Sequence, residues 1–361
     1  MSATFGERLR VTVFGQSHSE AMGAVVDGLP AGLRIDTEHL RAFLARRAPG
    51  QGPLTTARRE PDAPEIVAGL ADGVTCGAPL CILIRNTDAR SRDYETLRRV
   101  VRPSHADYPA YVRFGGHNDI RGGGQFSGRL TAPLCAAGAV ALQCLAARGV
   151  GVYAHIASIA GIKDAAVDPV SPDLPALAAL AAKPLPVLDA RAGEAMAQAV
   201  RDAAADGDSV GGVVECVVTG LPAGVGEPLY DSVESRLAAL LFAVPAVKGV
   251  EFGAGFAAAA LRGSENNDGY TASGGEVRTL SNHSGGICGG LTTGMPVVFR
   301  AAFKPTPSIA RPQRTVALPG PEETTLTVGG RHDPCVVPRA VPVVEAAAAL
   351  TMYDLLLCAA L

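Results

Sequence analysis

Val25-Val26-Asp27-Gly28-Leu29-Pro30-Ala31-Gly32 returns, with one change, as Val217-Val218-Thr219-Gly220-Leu221-Pro222-Ala223-Gly224. Each copy follows strand-forming residues, Arg10 to Phe14 with Gly23 to Val26 in one case and Gly212 to Val218 in the other. Each precedes a helical periodicity, Thr37 to Arg47 and Ser232 to Phe242. A second phrase recurs in the same order. Gly73-x-Thr75-x-Gly77-x-Pro79 leads into Leu80 to Ile84, and Gly290-x-Thr292-x-Gly294-x-Pro296 into Val297 to Phe299. Chance could give one such match. Two in one order predict duplicated halves, about residues 10–90 and 212–303, inside a single domain over residues 1–361.

Pro133 to Ala147 and Val343 to Leu361 are apolar on nearly every face, so both are expected as helices buried on all sides. Placed between sheets, they give an α+β fold: a β-α-β layered sandwich with buried helices between antiparallel sheets. Both look too short or too interrupted to cross a bilayer. Five prolines mark Asp168 to Leu188 as a surface excursion between the halves. Arg191 to Ala205 returns to helix, and Asp206-Gly207-Asp208-Ser209 turns the chain into the second half.

Composition narrows the function. A net charge of -3 over 361 residues argues against a general nucleic-acid binder. Of the 32 basic residues, 28 are arginine, so an anion site here is built mostly from guanidinium forks. The eight cysteines include no C-x-x-C pair and no zinc spacing; they read as reduced, mostly buried thiols of a cytoplasmic protein, with no metal site. Met1 to Arg10 has no apolar run of the kind a signal peptide needs.

Several short stretches carry chemistry. Gly15-Gln16-Ser17-His18-Ser19 follows a strand and exposes an imidazole and a hydroxyl on a rigid support, suited to general acid work; it is also an ordinary turn with a surface histidine. In Arg102-Pro103-Ser104-His105-Ala106-Asp107-Tyr108 a guanidinium precedes an imidazole by three residues, a pair able to hold and protonate a phosphate. Arg121-Gly122-Gly123-Gly124-Gln125-Phe126-Ser127-Gly128-Arg129 brings three glycines toward a helix N-terminus, where backbone can approach an anion closely. It lacks the spacing of a P-loop or a dinucleotide fingerprint. Ser281 to Gly290 has paired glycines near a strand, suited to packing on a flat ligand. Ala302-Phe303-Lys304-Pro305-Thr306-Pro307-Ser308-Ile309 holds one of the four lysines between prolines, suited to a cofactor phosphate. Arg331-His332-Asp333-Pro334-Cys335 puts a cation, an imidazole and a carboxylate in one turn.

Each stretch alone is weak. Together, in this order and with Thr55-Thr56-Ala57-Arg58-Arg59-Glu60-Pro61-Asp62 and Asp206 to Gly212, they resemble the chorismate synthases from about Phe5 to Leu357. The resemblance implies a lyase of the shikimate pathway. It converts 5-enolpyruvylshikimate 3-phosphate to chorismate and phosphate by anti-1,4-elimination, and requires reduced FMN although no net redox change occurs. It implies that His18 protonates the reduced flavin, that His105 protonates or holds the departing phosphate, and that Asp333 works with the flavin N5 as a proton relay. Ser17, Arg47, Arg102, Arg129 and Arg331 fall at substrate positions, and Arg47 also at the family's NADP position. Flavin contacts fall at Gln125, Phe126, Ser127, Pro245, Ala246, Gly289, Lys304, Pro305, Thr306, Pro307, Ser308 and Arg331.

The family's fold, like the one read above, has duplicated halves with helices layered between sheets. The resemblance also implies a cytoplasmic homotetramer acting on a small molecule, with no nucleic-acid or membrane partner. Gln16, Ser19, Pro53, Gln125, Phe126 and Pro245 depart from the commonest family residues, and those at 53 and 125 each remove a positive charge. Two other readings are an FMN-binding flavin reductase using NADPH and a non-catalytic flavin-binding relative.

Overall fold

The structure, a computed structural model, describes residues 3–50, 52, 54–56, 60–87, 96–329 and 332–359. The chain opens with strands β1 (Thr4–Phe5), β2 (Arg10–Phe14) and β3 (Ala21–Asp27), then helix α1 (Thr37–Arg47). Asp36 starts α1 by accepting from the amides of Glu38 and His39 at 2.9 and 3.0 Å. β4 (Pro64–Ala68), the short pair β5 (Leu70–Ala71) and β6 (Val74–Thr75), and β7 (Leu80–Arg85) follow. Next come α2 (Asp107–Phe114) and the apolar α3 (Thr131–Ala146). The second part runs β8 (Gly151–Ile159), β9 (Ile162–Lys163), α4 (Leu174–Ala179), α5 (Ala190–Ala205), β10 (Gly212–Thr219), α6 (Val233–Ala243) and β11 (Val247–Phe252). It continues through α7 (Gly263–Asn266), β12 (Tyr270–Ser273), β13 (Glu276–Thr279), β14 (Ile287–Cys288), β15 (Leu291–Thr292) and β16 (Val297–Phe303). The hairpin β17 (Gln313–Ala317) and β18 (Glu322–Leu326) precedes the last helix, α8 (Val337–Ala359).

Among the described residues the larger strands form two five-stranded sheets, ordered β1-β2-β3-β7-β4 and β11-β16-β10-β8-β9, with every pairing antiparallel. Side chains alternate as antiparallel strands with one buried face require: Leu80, Ile82 and Ile84 are buried while Cys81 and Leu83 are half-buried. α3 packs on β3 and β7, α8 packs on β8 and β10, and the two helices pack on each other, so the order is sheet, helices, sheet. This is the α+β sandwich expected from the sequence.

The repeated phrases have a physical reason to travel together. Gly32 N–H donates to the Thr75 carbonyl and Leu33 N–H to Thr75 Oγ1, at 2.8 and 2.9 Å, while that hydroxyl donates to the Pro30 carbonyl at 2.6 Å. In the second part Gly224, Val225, Thr292 and Pro222 make the same three bonds at 2.8, 2.9 and 2.7 Å. Gly32 and Gly224 both take left-handed backbone, φ 91° and 93°, which favours glycine at each.

α8 starts six residues before its expected first residue, because Pro338 falls in its first turn, where a missing N–H costs nothing, and Pro342 is carried inside the helix. Its 23 residues, and the 19 of Gly128–Ala146, are by length and composition enough to cross a bilayer, contrary to the sequence expectation. Both are nevertheless packed inside the fold. They pack closely at Gly138, where a Cβ would lie 2.3 Å from that of Ala346. Two buried carboxylates tie α8 to both sheets. Glu345 accepts from Arg46 at 2.6 and 3.0 Å and from the Ala154 amide at 3.2 Å. Asp354 accepts from the amides of Glu7, Arg8 and Leu9, the last two at 2.8 Å, and from Arg236 Nη2 at 2.6 Å.

The excursion at Asp168 to Leu188 is not merely surface chain. It contains α4, whose Leu177, with Leu180, is buried against Val217 and Val298 on the outer face of the second sheet. Beneath it runs a charged stripe. Glu251 pairs with Arg300 at 2.9 Å, Arg300 with Glu215 at 2.7 Å, and Glu215 with His155 at 3.1 Å, in cross-strand register. Asp164 lies 3.5 Å from the other side of His155. Of the eight cysteines, none is paired and four are buried.

Candidate active site

A small separate core holds the loops that carry the candidate residues. Leu97, Leu326 and Val328 are buried together, with Val100 and Ile120 packed on them. The β17–β18 hairpin clamps the approach: Val101 N–H donates to Val316 O at 3.2 Å and Leu318 N–H to Arg99 O at 2.7 Å. Just beyond, Ser104 takes a left-handed φ of 57° and folds His105 back toward the start of α2.

Gly122, Gly123 and Gly124, with φ of 61°, 85° and 55°, form a turn rather than the helix entrance expected from the sequence; α3 begins seven residues after the last of them. Their use is close approach to side chains. A Cβ on Gly122 would lie 2.4 Å from Ser17 Oγ and 2.9 Å from His18 Nε2. One on Gly123 would lie 3.2 Å from His105 Nε2. Adjacent residues of one turn therefore bring together two imidazoles 87 positions apart in the chain. The turn is anchored by the Ser17 amide, which donates to Gly124 O at 3.2 Å.

Asp107 accepts from Arg102 Nε and Nη2 at 2.7 and 2.8 Å and lies 2.6 Å from His105 Nδ1. Burial pushes its carboxyl up, but Arg102 and then His105 outweigh burial and hold it far below the usual carboxylate range. His332 faces the same group. Burial lowers its pKa, and the charges of Arg102 and His105 are felt there. Asp333, next in the chain, accepts from the Thr56 amide at 2.8 Å and from Arg339 Nη1 at 2.5 Å.

Arg47 and Arg129 are buried around Asp62, itself in left-handed backbone at φ 47°. Arg47 donates to Asp62, Thr131 Oγ1 and Gly128 O at 2.8, 3.0 and 2.8 Å, so each of its nitrogens already has a protein acceptor. Arg129 bonds Asp62 and reaches Asn86 Oδ1 at 3.0 Å. Asn86 in turn donates to Ser19 O at 2.8 Å, tying Arg129 to the His18 turn. Arg47 and Arg129 thus sit in the wall of the site, already paired.

The flavin positions divide. Lys304 N–H donates to Ala246 O at 2.9 Å, bringing Pro245-Ala246 beside Lys304 to Ser308, and Ser209 Oγ donates to Thr306 O at 2.7 Å. Val210 N–H donates to Pro334 O at 2.9 Å, which joins this loop to the Asp333 turn. Burial, and then Lys248, lower the Lys304 pKa, so two of the four lysines lie near each other. Gly289 stands apart. Its neighbour Gly290 abuts Glu227 and Ser232 at the N-terminal end of α6, whereas Pro245 and Ala246 follow its C-terminal end. Gln125 and Phe126 are exposed beside half-buried Ser127. Arg331 and Pro53 lie outside the described residues.

The hydroxyls of Ser17 and Thr306 are buried with no hydrogen-bond partner among the described residues. Buried polar atoms are rarely left so, and each of these hydroxyls, one beside the glycine turn and one in the lysine loop, is free to bond a polar ligand. A cavity of about 390 Å³ opens beside Asp107, Asp119 and Arg121. A larger hollow of about 990 Å³, between the excursion and the β12–β13 hairpin, contains none of the candidate residues. That hairpin, residues 270–279, lines the larger hollow with Tyr270, Glu276, Val277 and Arg278.

Asp107, Asn86 and Asp62 were given no role from sequence. Asp107 stands inside its quoted motif with both partners, Arg102 and His105, so its pairing is local, whereas Asn86 and Asp62 meet Arg129 across 43 and 67 residues, and nothing local marks that meeting.

The chain matches the family model described as chorismate synthase over residues 9–357. It is 48% identical to the chorismate synthase of Methanocella arvoryzae, over 97% of this chain and 93% of that one. It is 49% identical to that of Aeropyrum pernix, over 98% and 92%. A solved structure titled "Crystal Structure of Chorismate Synthase" superposes with a TM-score of 0.77 at 27% identity, over 98% of this chain and 92% of that one. With the glycine turn, the two imidazoles and the arginine-rich wall already in place, these likenesses settle the family: the chain belongs to the chorismate synthases.

Proposed function

We propose that this chain eliminates phosphate from 5-enolpyruvylshikimate 3-phosphate with His18, His105 and Asp333 as its proton-handling groups. The observation that carries the reading is the glycine turn, whose successive residues abut the two imidazoles. His105 faces the departing phosphate and gives it a proton, and Arg102 beside it favours negative charge there. His18 holds a second proton on the Gly122 side, next to the unsatisfied Ser17 hydroxyl, which is free to bond the substrate. Asp333, steadied by Thr56 and Arg339, accepts a proton from the far side.

Reduced FMN, when bound, supplies electron density to the substrate ring as the phosphate leaves. Its holders in this chain are Ser127, Ala246, Lys304 and Thr306, with Pro245, Pro305, Pro307 and Ser308 stiffening the loops. The buried Thr306 hydroxyl and the cationic Lys304 loop support that fit. Arg47 and Arg129 set the positive potential of the wall through Asp62; gripping a substrate carboxylate requires Arg47 to release a protein acceptor, whereas Arg129 has an Nη2 without a hydrogen-bond partner among the described residues.

The reading takes the chain as one domain of duplicated halves, supported by the matched turn bonds of Thr75 and Thr292. It also makes the protein a cytoplasmic homotetramer. Tyr230 and Phe256, 88% and 86% exposed, are surface of the kind a second copy covers. Phosphate release from the substrate with dithionite-reduced FMN, under anaerobic conditions, is the test. No release with reduced flavin present would refute the reading.

A further inference from the structure

Two contacts at His105 Nδ1 make opposite demands. Arg102 Nη2 lies 3.1 Å away and Asp107 Oδ1 2.6 Å away. A guanidinium only donates, so the first contact asks Nδ1 to accept; a carboxylate only accepts, so the second asks Nδ1 to donate. Asp107 decides between them. Its carboxylate takes both forks of Arg102 and the Arg102 backbone amide at 3.0 Å, an environment that keeps it ionised. Two acceptors at 2.6 Å without a proton between them would repel, so that proton sits on Nδ1. Arg102 then approaches Nδ1 only because both bond the same Oδ1.

We propose that Asp107 is a positioning residue for the elimination, holding His105 as the Nδ1–H tautomer so that Nε2 faces the cleft across Gly123. The proposal rests on the reading of His105 as the acid toward phosphate. The geometry agrees from three sides. Asp107 is the buried first residue of α2, 6% exposed, and His105 lies two residues before it. Ser104's left-handed backbone turns the ring back onto the carboxylate. Nε2 is the ring atom nearest the Gly123 Cβ position, at 3.2 Å. As an imidazolium, His105 passes its Nε2 proton to a phosphate oxygen and remains neutral, with its other proton still on Nδ1 toward Asp107. Solvent returns the Nε2 proton after phosphate leaves. The opposite tautomer would keep the neutral ring's proton on Nε2 and set the bare Nδ1 lone pair against the carboxylate. A carboxylate on the far nitrogen is the general device for fixing a working histidine.

The experiment has two arms. In flavin-free protein labelled with 15N-histidine, the ring signals of His105, identified by their loss in His105→Ala, should show the Nδ1–H form. Asp107→Asn should abolish that preference and Asp107→Glu should partly restore it. In phosphate release with reduced FMN, Asp107→Asn should lower kcat about 10²-fold with KM within twofold, and should cost nothing further in a His105→Ala background. An Nε2–H ring in the wild type overturns the proposal. So does an Asp107→Asn loss that is equally large without His105, or one confined to KM, which would mean that Asp107 serves Arg102 alone. Full activity of His105→Ala would instead remove the reading of His105 as acid, while the ring signals would still decide whether Asp107 holds it. Asp107→Glu, which keeps the charge, covers the case in which Asp107→Asn fails to fold.

Discussion

His18 and His105 stand at the same glycine turn but on different supports, one after β2 and one before α2. His18→Ala and His105→Ala should each lower turnover about 10²-fold or more, the scale of a lost general acid, in the phosphate-release assay. Asp62 is the residue that makes the arginine wall possible. Burial raises its carboxyl pKa, yet Arg47 and Arg129 outweigh burial and hold it below the ordinary 3.8. A depressed carboxylate contributes stability that is present above the unfolded value and lost as pH falls through the folded one. Asp62→Ala would leave two buried guanidinium groups without their shared counterion. It should destabilise the fold by about 3–5 kcal/mol, read as a lower urea midpoint at neutral pH. The two imidazoles at the glycine turn were legible in sequence because each sits in a short motif. Asp62's importance was not, because its meaning comes from Arg129, 67 positions on, and no local pattern encodes that meeting.

At the level of elements, the second sheet carries a titrating stripe. Burial lowers the His155 pKa, but hydrogen bonds to Asp164 and Glu215 and their charges outweigh it and raise it to about 9, against an ordinary 6.5. A histidine raised on folding contributes stability in full below about pH 6.5, and that contribution fades as pH rises through about 9. Thermal stability should therefore fall between those values, and His155→Gln should flatten that part of the profile. An unchanged profile in the variant would remove the stripe from the explanation. The helix crossing gives a second test at this scale. Gly138→Val has no room against Ala346 and should cost about 1–3 kcal/mol or more in urea unfolding, since α3 and α8 would have to separate. Strands and amphipathic helices were readable to within a residue or two, as α1 at Thr37–Arg47 illustrates, because period and caps are local signals. The start of α8 was not, because prolines that usually end a helix are accommodated in its opening turns. The role of the glycine turn was misplaced for a related reason: three glycines specify freedom of backbone, not the partner it will approach.

On the scale of the whole molecule, the layered order followed from two helices with no polar face. What the sequence could not show is how polar groups tie those helices in. Glu345 and Asp354 are buried in α8, an unfavourable place unless paired, and their partners come from both sheets. Asp354→Ala would leave three amides of the opening segment without their acceptor at once, and would strip Arg236 of its one buried partner while Glu7 and Asp231 remain. A loss of about 3–5 kcal/mol in equilibrium unfolding is expected, with the first sheet exchanging its amide hydrogens faster.

That arrangement also sets an order of events in the cell. α8 leaves the ribosome after every element it packs against, yet it fills the space between both sheets and holds Leu9, some 345 positions earlier. Until it emerges, α3 can cover β3 and β7, but the faces of β8 and β10 that α8 covers stay open. Completion of the interior thus waits on α8, and a chain that still lacks it is the form most in need of a chaperone's shelter.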